Sequence, residues 1–159
     1  MSRPVPQVSA PGLSDGEMLK ELRWLEEFIG AADSLDWSKW EKYWDDNAFL
    51  QFCNCSKIEG KEAIAHHWQE KLGVLEQMEH TEIVRRSFDR SLGIIYQTEK
   101  LRYKIKGDPH ARVIDVSGLA VIHKKIGSDV ITGFETYIDQ EPIVTIVREL
   151  RAMAMKRSQ

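Results

Sequence analysis

Apolar positions along the chain change period once, near residue 80, from helical spacing to alternation. Before that point Met18, Leu22, Leu25, Phe28 and Ile29 mark the buried face of a helix over 15–34. Ser14, with Glu17 three residues on, has the spacing of a capping box at its start. Asp36 is placed to cap a second helix, on which Trp37, Trp40, Tyr43 and Trp44 share one side. The run Asp45-Asp46-Asn47 breaks that helix, and 48–53 reads as a strand. Gly60 opens a third helix with Ala63, Ile64, Trp68 and Leu72 along its stripe. Four strands follow, roughly 80–89, 93–106, 112–124 and 129–139, with turn residues at 89–93, 107–109 and 127–129 between them. Pro142 stands in the first turn of a last helix, about 142–155, whose apolar face is Ile143, Ile146, Val147 and Leu150.

Strands gathered after helices predict an α+β layout and not a parallel βαβ sheet. The 159 residues suffice for one domain with its own core, expected over 14–159, with the C-terminal helix from about 142. Residues 1–13, rich in Pro, Ser and Gly and without periodicity, are expected to form a flexible N-terminal arm. The charge of −3 and the absence of a basic cluster predict no nucleic-acid partner. No apolar run is long enough for a membrane span, and no apolar segment near the N-terminus reads as a secretory signal. Cys53 and Cys55, two apart on an extended segment, point to opposite faces and are expected as free thiols in a reducing, cytoplasmic setting. They lack companion ligands at metal-binding spacing, so no metal site is predicted.

Three segments carry a family resemblance. AADSLDWSKWEKYWDDNAFLQ (31–51) turns a helix at Asp36-Trp37 and feeds a strand; IEGKEAIAHHW (58–68) is a Gly-opened helix; GFETYIDQEPI (133–143) ends a strand on an aromatic-x-Asp pattern. In this order they resemble the SnoaL-like branch of the nuclear-transport-factor-2 superfamily, which includes ketosteroid isomerases, polyketide cyclases, limonene-epoxide hydrolases and scytalone dehydratases. The resemblance covers most of the chain, from about Ser14 to Ile143. It implies a cone: a curved, mostly antiparallel sheet wrapped around the N-terminal helices, enclosing one small-molecule pocket.

Strand alternation then decides which side chains face that pocket. Lys100, Arg102, Lys104 and Lys106 alternate with Glu99, Leu101, Tyr103 and Ile105. Four cations on one face belong in water, so Glu99 and Tyr103 should face inward. A carboxylate among apolar neighbours suits acid–base work near neutrality; otherwise Glu99 sits wet or ion-paired at the strand's mouth. His80 resembles the catalytic histidine that scytalone dehydratases carry at the start of the equivalent strand, the alternative being a surface cap. Tyr103 occupies the place of their second histidine, where a buried phenol can donate to a developing oxyanion, as in ketosteroid isomerase; otherwise it is a wall aromatic. Ser117 matches a substrate-binding serine of the dehydratases, Leu119 replaces their asparagine, and Asp36 resembles, with a shifted loop, an aspartate of their site. Asp115 shares the face of Ser117.

On the first long strand Phe49, Gln51 and Cys53 are expected inward, with no acid to serve as the base of a ketosteroid isomerase. The hydrolase set would need an arginine and an aspartate near Leu101 and Tyr103 and an aspartate near Thr136, and these are absent. Trp40 stacks either on substrate or within the core, and Phe134 is expected on the pocket wall. His66 and His67 diverge by about 100° on their helix, so at most one faces the cavity.

The resulting expectation is an enzyme of secondary metabolism that uses no cofactor: a cyclase, isomerase or dehydratase. His80, Glu99 and Tyr103 would be catalytic. Ser117, Asp115, Cys53, Gln51, Trp40 and Phe134 would contact a hydrophobic polyketide- or terpenoid-like carbonyl substrate. A homodimer paired through the outer sheet face is expected. The competing expectation is a ligand-binding or dimerisation module without catalysis.

Overall fold

The structure, a computed structural model, describes residues 3–159. The first helix, α1 (Asp15–Asp33), begins at the expected capping box: Ser14 Oγ accepts from Glu17 N at 3.1 Å, and Ser14 N donates to the Glu17 carboxylate at 2.9 Å. Leu25, Phe28, Ile29 and Ala32, at i, i+3, i+4 and i+7, form its buried stripe. The aromatic helix is shorter than its pattern suggested: α2 covers Trp37–Trp40, and a 3-10 turn, Glu41–Tyr43, passes into β2 (Trp44–Phe52). Bulky aromatics lose rotamer freedom in a helix and gain more by packing on a strand. β3 (Ile58–Glu59) and α3 (Lys61–Gly73) follow, then β4 (Leu75–Asp89), β5 (Ile94–Ile105), β6 (Ile114–His123), β7 (Ile131–Ile138) and α4 (Glu141–Arg157).

β1 (Gln7–Ser9) arises where a flexible arm was expected. It pairs in parallel with β4, Gln7 beside Arg85 and Ser9 beside Ser87. An unpaired edge of β4 offers backbone donors and acceptors, and three extended residues satisfy them whatever their side chains.

Among the described residues seven strands form one sheet in the order β1-β4-β5-β6-β7-β2-β3, antiparallel except for the pairs β1·β4 and β2·β7. α1, α2 and α3 pack in its concavity around Phe28, Trp37, Trp40, Trp44 and Ile64. The face of α4 built from Ile143, Ile146, Val147 and Leu150 closes the wide end against Leu72, Leu75, Leu101 and Ile114. Register holds where the cations predicted it. Along β5, Ile95, Gln97, Glu99, Leu101, Tyr103 and Ile105 are buried while Tyr96 and Lys100 are exposed.

β2 departs from the expected phase. Its buried positions are Trp44, Ala48 and Leu50, with an irregular register between Trp44 and Phe49 against β7. Phe52 then lines the interior, so Phe49, Gln51 and Cys53 point outward, one residue out of phase with the expectation. Phe49 lies over Gly133 of β7, where an added Cβ would meet its ring at 2.1 Å, and the Gln51 amide turns back to Cys55 O at 3.1 Å. Glycine opposite an aromatic is what lets Phe49 cover the outer face.

A second anchor ties α1 to the β6–β7 turn. Lys124, buried, pairs with buried Glu21 and lies 4.7 Å from the Trp24 ring centre. Gly127 N donates to the other Glu21 oxygen at 2.7 Å, and Trp24 Nε1 donates to Asp129 O at 3.1 Å. Removing one partner of a buried pair strands the other. Lys124→Met is therefore expected to cost about 3–5 kcal/mol in urea denaturation. The double variant Lys124→Met/Glu21→Leu should recover most of that loss, falling short by the bond Gly127 N loses. A double variant no more stable than Lys124→Met would refute the pairing.

Candidate active site

The cone encloses a cavity of about 540 Å³, within the range of about 300–1,000 Å³ usual for small-molecule sites. Its walls are apolar: Phe28 and Ile29 from α1, Trp40 from α2, Trp68 and Leu72 from α3, Met78 from β4, Leu101 from β5 and Phe134 from β7. Against these stand a few polar side chains, His80, Gln97, Glu99, Tyr103 and Thr136, all of them buried. Trp40, Trp44 and Trp68 keep their indole nitrogens buried without a hydrogen-bond partner. Each packs against other rings, Trp40 edge-on to Trp44 at 5.2 Å between centres and 4.9 Å from Trp68. These indoles build the wall.

His80 is held from both sides. Its Nδ1 lies 2.5 Å from Asp33 Oδ1, and its backbone N donates to Asp33 Oδ2 at 3.1 Å, so one carboxylate grips both ring and main chain. Its Nε2 lies 3.6 Å from Glu99 Oε2. Glu99 in turn accepts from Gln97 Nε2 at 2.6 Å, Gln97 Oε1 accepts from Arg86 Nε at 2.9 Å, and Arg86 Nη2 lies 3.0 Å from Glu26 Oε1. The run crosses from α1 through β4 to β5 and back to α1.

Two departures from regular strand geometry make it. β4 shifts register against β5 between His80 and Glu82 and again between Ile83 and Arg85. Through these bulges His80, Ile83 and Arg86, three apart, all point into the cone, which strict alternation forbids. Asp33 is a second exception. It is an acid in the last turn of α1, where the helix dipole disfavours negative charge, and that turn holds no basic residue.

Burial works against the charge on His80, but the Asp33 hydrogen bond and the charges of Glu99 and Asp33 outweigh it and hold the imidazole above its ordinary value. Tyr103 is pushed upward from its usual value by burial first, then by the charges of Glu99 and Asp33, so the phenol keeps its proton. Among the described residues its hydroxyl makes no hydrogen bond, which leaves the O–H free for a ligand. His67 is the member of the His66-His67 pair that reaches the cavity, and burial pulls it below its ordinary value.

His80, Glu99 and Tyr103 thus line one cavity, with Trp40 and Phe134 on its wall. Four expected ligand contacts do not. Asp115 and Ser117 lie on the outer face of β6, where Asp115 accepts from Arg102 at 2.7 Å. Both follow the outward phase of Arg102 and Lys100, their partners across the sheet. Gln51 and Cys53 face out with the shifted phase of β2, and Cys53 Sγ lies 3.6 Å from Thr136 O and from Ile138 O. Cys55, two residues on, reaches the rim instead. Asp36 caps α2 through Ser38 N at 3.0 Å, and the aspartate beside His80 is Asp33. No group of three or more His, Cys, Asp and Glu side chains among the described residues is arranged to hold a metal ion. Among the described residues no helix is long and apolar enough to cross a membrane.

No family model and no curated protein matches the sequence. Solved structures do match the fold. An NTF2-like protein from Anabaena variabilis ATCC 29413 superposes with a TM-score of 0.65 at 11% identity, over 82% of this chain and 94% of that one. A candidate SnoaL-like polyketide cyclase from Shewanella denitrificans OS-217 gives 0.64 at 13%, over 82% and 98%. An LEH-like epoxide hydrolase of M. tuberculosis gives 0.61 at 18%, over 87% and 97%. The chain has the SnoaL-like, NTF2-like cone fold.

A group whose folded pKa is raised stabilises the fold fully below its unfolded value, about 6.5 for histidine, and loses that contribution as pH rises through the folded value. Wild-type stability should therefore decline as pH rises from about 6.5 through the higher folded value. His80→Gln should flatten this decline. Parallel curves for the two proteins in chemical denaturation would contradict the Asp33–His80–Glu99 arrangement.

Proposed function

We propose that this chain is an enzyme that transfers a proton on a carbonyl-bearing, largely apolar small molecule without a cofactor, as a cyclase, isomerase or dehydratase. One observation carries the reading: a histidine gripped by Asp33 and flanked by Glu99 at the floor of an otherwise apolar cavity. Neutral His80 donates Nδ1–H to Asp33 and keeps its Nε2 lone pair for a proton beside the substrate carbonyl. Once Nε2 carries that proton, Glu99 stabilises the imidazolium from 3.6 Å. The Tyr103 hydroxyl donates to the enolate oxygen while the aromatic wall excludes water. His80 then returns the proton to a second carbon, to an alkoxide formed by ring closure, or to a departing hydroxyl. These outcomes separate isomerisation, cyclisation and dehydration, and the substrate's shape selects among them. The polyketide cyclases and isomerases of this fold make a polyketide- or terpenoid-like substrate the class to try first.

The inward residues of β2, Ala48, Leu50 and Phe52, include no carboxylate. The base is therefore sought on β4 or β5. Carriage of a ligand without turnover is the competing reading, favoured by the preponderance of apolar wall.

Turnover of enolisable polycyclic ketones tests the proposal. His80→Gln and Tyr103→Phe should each lower kcat by about 10²–10⁴-fold, the usual contribution of a positioned acid or base. Unchanged ligand binding in both variants, with no turnover in any of the three proteins, would favour carriage. The pH profile adds a sign. The wild-type rate should rise with pH as His80 loses its proton, and Asp33→Asn, by removing what holds that proton, should move the rise to lower pH. A rise that stays in place would remove His80 as the base.

A further inference from the structure

The arm before α1 is fastened at several points. β1 pairs with β4, Arg85 Nε donates to Gln7 Oε1 at 3.2 Å, and Arg90 donates to Gly12 O at 2.8 Å and to Glu17 at 2.9 Å. This strapping sets Arg3 against α1, where Nη1 lies 3.4 Å from Glu26 Oε2 and Nη2 lies 3.4 Å from Asp33 Oδ2. Asp33 Oδ2 is also the oxygen that accepts from the His80 main chain. Glu26 is also the partner of buried Arg86. Arg3 therefore meets both ends of the run that links Asp33, His80, Glu99, Gln97, Arg86 and Glu26, and converts it into a closed ring of seven side chains.

We propose that Arg3 is a positioning residue for the site: the strapped arm holds its guanidinium between Glu26 and Asp33, where it shares the Asp33 carboxylate with His80 and restrains that carboxylate's hold on the imidazole proton. The inference deepens the enzymatic reading and rests on it for its catalytic consequence.

The physical case has three parts. Asp33 sits in the last turn of α1, where the helix dipole pushes a carboxylate away, so an added cation is needed there more than elsewhere. A guanidinium offers donors in a fixed fork, and here the fork spans two carboxylates about two turns apart on one helix face. Charge balance is the third. Three carboxylates and two guanidiniums, counted formally, leave the ring one negative charge, which protonated His80 neutralises. The charged and titratable groups facing His80 are Asp33 from α1, Glu99 and Tyr103 from β5, and Arg3 from the arm. Arg3 is the cation among them and opposes the charge on His80. Without it, Asp33 would act on the imidazole unopposed.

The test reads His80 directly by NMR titration of the imidazole carbon-bound protons, its resonance identified by its loss in His80→Gln. In Arg3→Gln the His80 midpoint should move to higher pH at low salt, and Arg3→Lys should restore it in part. The shift should shrink in 1 M salt, because Arg3 is one-third exposed and a Debye length of about 3 Å screens it. A curve for Arg3→Gln that superposes on wild type at low salt would overturn the proposal, whatever its melting temperature. With a substrate in hand, kcat should fall at nearly constant KM in Arg3→Gln and recover in Arg3→Lys. A titration shift in a protein that turns over nothing would uphold the placement of Arg3 and defeat the enzymatic reading instead.

Discussion

Charged side chains inside an apolar cone must find partners there, because stranding even one costs a large share of a domain's total stability. Glu99, His80 and Arg86 are all nearly inaccessible, and each has a partner side chain on another element: His80 for Glu99, Asp33 for His80, Gln97 and Glu26 for Arg86. That requirement fixes much of the structure. β4 must bulge twice so that His80 and Arg86 both face inward. β5 must present Gln97 and Glu99 on its buried face, and α1 must end where Asp33 meets His80. Shifting any of these elements by one residue would break several contacts at once. The ring therefore sets the mutual register of helix and sheet more tightly than the apolar contacts around it, which tolerate exchange of similar volumes.

The apolar wall and the polar floor act on each other. Rings from α1, α2, α3 and β7 keep water away, and in that environment a carboxylate 3.6 Å from an imidazole interacts far more strongly than it would in solvent. The same wall makes Tyr103 harder to ionise, so it remains a donor. One packing decision thus serves two ends: it supplies apolar burial for the fold and sharpens the electrostatics of the few groups left inside.

Much of this was legible in the chain. The capping box, the order of elements and the inward phase of Glu99 and Tyr103 follow from local patterns, since four cations alternating with apolar residues admit one register. The resemblance points to His80, which is buried at the cavity. Irregularity that alternation does not encode accounts for part of the difference. The irregular stretch at the start of β2 shifted Gln51 and Cys53 outward. The resemblance points to Ser117, and Asp115 shares its face, but their cross-strand neighbours Lys100 and Arg102 mark that face as wet. Signals for the rest were present but unused. Ile83 and Phe88 are both large and apolar and an odd number apart, so one face cannot hold both without a bulge. Asp33, an acid where a helix wants a cation, was a local contradiction of the kind that marks functional positions. The pairing of β1 had no signal, because backbone bonds at a sheet edge do not depend on side-chain pattern.

Stability alone gives a weak account of the ring. Buried ion pairs often contribute no more than well-packed apolar residues of the same volume, and sometimes less. A container for an apolar ligand would be built more simply with Leu or Met at 80 and 99, which would need no bulges, no Gln97–Arg86 support and no acid at the end of α1. The chain instead carries a polar ring, with Tyr103 beside it, that leaves two groups uncommitted, the Nε2 side of His80 and the Tyr103 hydroxyl, both facing the cavity. A polar network that opens on an apolar cavity at two such points is suited to what happens at those points. Perturbed groups arranged in this way are what proton transfer requires and what carriage does not.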